Sequence, residues 1–409
     1  MTEEMTVELT DMTFGGDALG RLPDGRAVFV PFGLPQETVK IRLTEDKATF
    51  AKAELIEVLI PSPLRIQPLC PHFGVCGGCN YQQLAYPDQL VLKRKIVVDQ
   101  LKRLAGLSDF PVEPVVASPN PWNYRNTVQF RVSSTGKLGF QRANSNDFVE
   151  IRECHLPQTN INTLWPQLLF DDDSGIERAI IREGAENDLI LGLESKQETP
   201  PEFSVDFPIS ATFTGLDGLT VLSGNEYVLM EVNGRTFKVS IGSFFQANLP
   251  QAEAMVRHVL QLAGDLSSKV GVDAYCGVGL FSAFMAGTAR QLIGIELSDS
   301  ACDDYATNLD EFSNVELYMG AVEGVLPSLS VHPDIIVIDP PRAGLDQRVI
   351  SAITKMAPQK IIYVSCDPAT LARDIKRFVL QGYSLKRVTP FDQFPQTSHI
   401  ETISLIEKI

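Results

Sequence analysis

Two short blocks near the C-terminus hold the side chains best suited to covalent chemistry. They are Ser365-Cys366-Asp367-Pro368 and Gln396-Thr397-Ser398-His399-Ile400-Glu401. Cys366 ends the apolar run Ile361–Val364, the composition of a buried parallel strand. Glu401 precedes a second apolar run, Ile403–Ile406. A thiol and a carboxylate at the ends of two strands of one sheet could face one substrate. That pair matches what alkylation at C5 of a uracil needs. C5 is a poor nucleophile until something adds to C6, and a thiolate adds best. A base must then remove the C5 proton. Against this stands the plain alternative of a cysteine that merely packs in a strand end.

The elements that would position these groups begin near Gly242, where strand-like and helix-like segments start to alternate as in a doubly wound α/β domain. A helix is predicted from Asn248-Leu249-Pro250 to Gly264. Strands are predicted at Val270–Ala274, Leu292–Glu296, Val315–Met319, Asp334–Asp339, Lys360–Ser365 and Glu401–Ile406. The first strand leads into Asp273-Ala274-Tyr275-Cys276-Gly277-Val278-Gly279. Two glycines there allow a tight turn and close approach of a ligand. The loop lacks three-glycine spacing, and an acid precedes it. Both features favour a ligand with a positive amino group, such as S-adenosylmethionine, over a pyrophosphate. Glu296, ending the next strand, could accept both ribose hydroxyls. Asp339-Pro340-Pro341-Arg342 ends the fourth strand at the cleft edge, as a base-contacting loop or simply a rigid exit.

Upstream, residues 1–60 read as a small β-barrel, with runs Thr6–Leu9, Ala27–Val30 and Thr38–Ile41 between glycine- and proline-rich turns. Barrels of this size often bind oligonucleotides. Pro61-Ser62-Pro63 is a linker into a central region, residues 61–240. There a helix is predicted from Asp88 to Ala105, with Leu90, Val97, Leu101 and Leu104 on one face. β-type runs follow. Cys70, Cys76 and Cys79 fall within ten residues, and Cys154 is the only further cysteine before the α/β domain. Four thiolates suit zinc or an iron–sulfur cluster; three clustered ligands and one distant one resemble a cubane site more than paired zinc spacing. Cys276 and Cys302 read as packing residues.

The net charge of −16 is evidence against broad, non-specific RNA affinity. Residues 61–164 alone are net positive, with 11 basic and 7 acidic side chains. Lys93, Arg94, Lys95, Lys102, Arg103, Arg125, Arg131, Lys137 and Arg142 make this stretch the expected path of an RNA backbone. Met1-Thr2-Glu3-Glu4 has neither the charge nor the apolar core of a signal peptide, and no stretch is long enough to span a membrane. With seven cysteines, these features predict a reducing cytoplasm.

Taken together, the chain resembles the TRAM-domain, iron–sulfur-dependent RNA uracil-C5 methyltransferases, the group that includes the bacterial 23S rRNA enzymes. The likeness runs through the barrel, Cys-x5-Cys-x2-Cys with its distant cysteine, Gly242–Asn248, Asp273–Gly279, Gly294–Glu296, Asp339–Gly344, Tyr363–Asp374 and His399–Glu401. The resemblance implies a multidomain α/β protein. Residues 1–60 would be an OB-like TRAM barrel, 61–240 an α+β iron–sulfur domain, and 241–409 a class I Rossmann-like methyltransferase domain. It implies Cys366 as nucleophile and Glu401 as base. Gln246, Tyr275, Glu296 and Asp339 would line the S-adenosylmethionine site, with Gln246 and Asp339 also candidates for touching the uracil. Cys70, Cys76, Cys79 and Cys154 would hold a [4Fe-4S] cluster without redox duty. The expected partner is 23S rRNA, with a tRNA T-loop uridine as the alternative, and the target base would be flipped out of its stack. A monomer is expected. A non-catalytic RNA-binding iron–sulfur protein is the rival of another class; a radical enzyme fits poorly, since Cys-x3-Cys-x2-Cys is absent.

Overall fold

A computed structural model describes residues 4–200 and 208–409. Met1, Thr2 and Glu3, used above in reading the start of the chain, lie outside the described residues.

The N-terminal strands, Glu4–Met12, Asp17–Arg21, Ala27–Pro31, Glu37–Asp46 and Phe50–Ile60, close into a barrel. Alternation drives this closure. Val7, Leu9, Val28, Val30, Val39 and Ile41 point inward while intervening polar residues face water. The second and fifth strands escape the sequence pattern, one short and containing a glycine, the other heavily charged.

The central sheet runs in the order Gly218–Ser223, Ser210–Gly215, Leu189–Ser195, Ile176–Glu183, Thr127–Val132, Leu138–Gln141 and Phe148–Glu150. Its core gathers Phe130, Trp165, Ile181, Leu191 and Phe213. Two segments ahead of residue 241 pack elsewhere. The hairpin Tyr227–Val232 and Arg235–Ser240 shares a core with the C-terminal sheet, as does the helix Tyr86–Gln100 on the opposite face. Val112 and Val116 bridge to Val388 and Phe391 of that same sheet.

The face this helix buries differs from the expected one. Gln89, Lys93, Ile96, Val97, Leu101 and Ala105 are buried, whereas Leu104 is exposed and Leu90 half-buried. The last turn, Leu101–Ala105, widens to π geometry before Gly106 ends it at φ 72°. That extra residue per turn swings Leu104 off the apolar face.

The C-terminal sheet has the order Val315–Met319, Gln291–Glu296, Val270–Ala274, Ile335–Ile338, Lys360–Ser365, Glu401–Lys408, Tyr383–Phe391. Only Glu401–Lys408 runs against its neighbours. Helices cover both faces, so the central strands are apolar throughout (Ile335–Ile338 and Ile361–Val364 are buried). The strand Tyr383–Phe391 was not expected. It lies at the sheet edge, where Lys386, Arg387 and Pro390 break the apolar signature.

Candidate active site

Strand pairing sets the two reactive side chains face to face. Lys360–Ser365 and Glu401–Lys408 are antiparallel, with Ser365 paired to Thr402. One step further along that register stand Cys366 and Glu401. Asp367 caps the helix that follows, accepting from the backbone N–H of Ala369 and Thr370, both at 2.9 Å. This cap stops the strand at Cys366, which remains partly exposed, while Glu401 is buried.

The electrostatics here are strongly perturbed. Burial pushes the Cys366 thiol up to about 12, helped by the charges of Glu401 and Asp339 and opposed by Arg342. Burial raises Glu401 well above the usual carboxylate range; Asp339 raises it further and Arg342 opposes. Asp339 is itself raised by burial and by Asp273. Asp273, Asp339, Glu401 and Cys366 thus influence one another in succession, with the Arg342 guanidinium opposing at Glu401 and Cys366, the pattern expected where proton transfers occur. Arg342 also approaches His399, Nη2 to Nδ1 at 3.4 Å. Desolvation of the ring, then the charges of Arg342, Lys93 and Arg125, lower the pKa of His399 although the residue as a whole is exposed, so the imidazole is neutral at pH 7.

Three of the expected donor-site residues, Tyr275, Glu296 and Asp339, stand at the glycine loop. Tyr275 adopts φ 65° and donates its hydroxyl to Glu323 at 3.0 Å. Gly277 has φ 53° and open space where a Cβ would stand, while a Cβ on Gly279 would strike Leu309 at 2.5 Å. Asp273 is fully buried: Ser282 donates to Oδ2 at 2.6 Å, Oδ1 has no partner among the described residues, and burial raises the group to about 7. An orphaned acceptor beside an open glycine loop fits a ligand that brings its own donor. The expected use of Glu296 needs adjustment. Its carboxylate already accepts from the backbone N–H of Gly277, Leu297 and Ser298 at 2.8–2.9 Å, leaving about one of its four lone-pair positions for a ribose hydroxyl. Gln246 is buried, with Oε1 accepting from Gln393 at 2.8 Å. The adjacent Phe244 is 72% exposed, a large unpartnered aromatic that its place in a mixed apolar run concealed.

Cys70, Cys76, Cys79 and Cys154 all line one open cavity of about 1430 Å³ between the barrel, the cysteine loop and the central sheet. None of Gln246, Tyr275, Glu296, Asp339, Cys366 and Glu401 lines it. All four cysteines are free, and the thiols sense one another: Cys70 and Cys76 raise both Cys79 and Cys154, after burial, which acts first. Gly78 N–H donates to Cys76 Sγ at 3.4 Å. The sulfurs nevertheless stand as an open set. Among the described residues, no three His, Cys, Asp or Glu side chains converge as a metal cage.

The basic stretch divides. Lys93 is wholly buried against Asp392, Arg94 donates to the carbonyls of Val112 and Glu113, and Lys95 pairs with Asp11. Lys93 is therefore withdrawn from any RNA track, whereas Arg94 and Lys95 stay exposed at the surface. Arg125, Arg131 and Arg142 do line the cavity.

A sheet whose penultimate strand in space is reversed, with an acid and two glycines after its first strand and a second acid after the next, defines an S-adenosylmethionine-dependent methyltransferase. Residues 322–409 match the family model for tRNA (uracil-5-)-methyltransferase, and residues 2–56 match the TRAM domain. An uncharacterized RNA methyltransferase of Caldanaerobacter subterraneus is 33% identical over 99% of both chains, and one of Bacillus cereus is 32% identical over 100% of this chain and 97% of its own. The chain belongs to the TRAM-domain RNA (uracil-5-)-methyltransferase family. The crystal structure of Pyrococcus abyssi tRNA (uracil-54, C5)-methyltransferase with S-adenosyl-L-homocysteine shares the fold, with a TM-score of 0.77, 24% identity, and coverage of 98% and 100%.

Proposed function

We propose that this enzyme transfers a methyl group from S-adenosylmethionine to C5 of a specific uridine in 23S rRNA, with Cys366 as nucleophile and Glu401 as base. The observation that carries this reading is the antiparallel register that sets Cys366 opposite Glu401. Cys366 adds to C6 of the flipped uracil, and the resulting enolate carbon, C5, attacks the sulfonium methyl. Glu401 then takes the C5 proton, and elimination returns the thiol. A carboxylate whose affinity for protons is raised by burial suits that last step. Gln246, Tyr275, Glu296 and Asp339 hold the donor, and Asp273 offers its orphaned oxygen to the same loop.

Cys70, Cys76, Cys79 and Cys154 would hold a [4Fe-4S] cluster, which would supply a structural cross-link between the cysteine loop and the central sheet. The common cavity and the spacing of the four cysteines, not a preformed cage, carry this reading over zinc. Arg125, Arg131 and Arg142 in that cavity would meet the RNA backbone.

A second reading, the same reaction on a tRNA T-loop uridine, is favoured by the family model over residues 322–409 and by the full-length likeness to a tRNA enzyme. Mass spectrometry of both RNA pools from a deletion strain separates the two. Loss of 5-methyluridine from large-subunit rRNA is expected; intact rRNA with depleted tRNA would transfer the assignment.

A further inference from the structure

The loop Asp392–Ile400, which delivers Glu401 to the site, is held by residues remote in sequence, and one of them bridges it to the barrel. Asn80 Nδ2 donates to the Gly15 carbonyl of the barrel at 3.2 Å and to Ser398 Oγ at 2.9 Å. Ser398 N–H donates back to Asn80 Oδ1 at 2.7 Å. The backbone N–H groups of Asn80 and Tyr81 donate to the Gln396 carbonyl at 3.2 and 3.0 Å. Gln396 has φ 68°, a left-handed conformation that costs a non-glycine residue energy and persists only under outside constraint. On the barrel side, Gly16 has φ 95°, and a Cβ there would lie 2.4 Å from Asn80 Nδ2 and 3.0 Å from Ser398 Cβ.

We infer that Asn80 is a positioning residue that ties the seating of the N-terminal barrel to the placement of Glu401. The inference rests on the reading of Glu401 as the base. A barrel displaced from Gly15–Gly16 withdraws one partner from Asn80 and slackens its grip on Ser398 three residues before the carboxylate. Proton removal, which needs Glu401 in place, is then the step that suffers. Addition of Cys366, carried by a different strand end, is not.

The test compares Gly16→Ala, Asn80→Ala and Ser398→Ala in the full-length enzyme purified anaerobically. Two rates are read for each: kcat on ordinary RNA, and formation of the covalent adduct on RNA carrying 5-fluorouridine, which needs no proton removal. Iron content and thermal midpoint are recorded alongside. The expected result is a kcat about tenfold lower, with adduct formation within about twofold of wild type and iron unchanged. Equal loss in both rates, loss of iron in step with activity, or unchanged kcat in all three variants would each overturn the inference. Failure of the wild-type enzyme to form any adduct would instead sink the underlying reading of Cys366.

Discussion

Lys93 Nζ and Asp392 Oδ1 lie 2.6 Å apart with both side chains wholly buried, joining the helix Tyr86–Gln100 to the loop that leads to Glu401. Lys93 also donates to the Phe394 carbonyl, while Gln89, one turn earlier, exchanges hydrogen bonds with Gln396. Burial lowers the pKa of Lys93 and Asp392 opposes that shift, so the ammonium depends on its partner. Lys93→Met leaves Asp392 buried and unpaired, which costs about 3–5 kcal/mol. Lys93→Met combined with Asp392→Leu restores much of that loss. Chemical unfolding of the two variants checks both statements; equal destabilisation by the single and double variants would refute the pairing.

Cys366→Ala is expected to retain S-adenosylmethionine binding and to lose turnover entirely. Glu401→Gln removes the base but leaves the nucleophile. It is expected to accumulate the covalent complex with ordinary RNA and release it at least about a hundredfold more slowly. Gel-shift under denaturing conditions follows the complex directly. Release at the wild-type rate would assign the proton to another group.

The thiol of Cys366, held near 12, is protonated at neutral pH. A raised thiol pKa means that the reactive thiolate fraction grows tenfold for each unit of pH below that value. The rate of adduct formation should therefore climb steadily from pH 6.5 to 9.5. Arg342 is the one charged side chain that pulls the value down, so Arg342→Ala is expected to slow adduct formation by about tenfold at pH 8. A flat pH profile in the wild-type enzyme would remove the basis for this prediction.

Asp273 contributes to stability in the opposite sense from a paired surface acid. Its folded pKa, about 7, lies above the ordinary value of 3.8 for the free group. Its contribution is fully present below about pH 4 and fades as pH rises towards 7. Asp273→Asn is expected to gain stability over wild type progressively across that window, by at most about 4 kcal/mol, and to weaken donor binding. Urea unfolding at pH 4.5 and 8 measures it; an equal difference at both pH values would contradict the assignment.

The cysteine quartet makes a compositional prediction. Protein purified without oxygen should carry about four irons and four sulfides per chain, with broad visible absorption. Cys154→Ser should lower both and loosen the cysteine loop from Arg142, whose backbone bridges Cys76. Stoichiometric zinc without sulfide would replace the cluster reading.

Much of this arrangement could be read along the chain. The strand ends bearing Cys366 and Glu401, the acid and glycines of Asp273–Gly279, and six of the seven C-terminal strands are local signals, since apolar runs and turn residues write themselves into adjacent positions. The barrel was legible for the same reason where alternation was clean, and illegible at Asp17–Arg21 and Phe50–Ile60, where short length or surface charge masks it.

What linear order could not convey is partnership across long separations. Lys93 reads as one of three adjacent cations, yet its partner stands 299 residues away and the pair is buried. Asn80 and Ser398, 318 residues apart, show no periodic signal because a satisfied polar contact imposes none. The sequence by itself determined which chemical groups are present and the strands that carry them. Only the tertiary structure decided which charges are free to meet RNA, and how the loop before Glu401 is held. Burial and hydrogen-bond pairing are properties of three-dimensional neighbours.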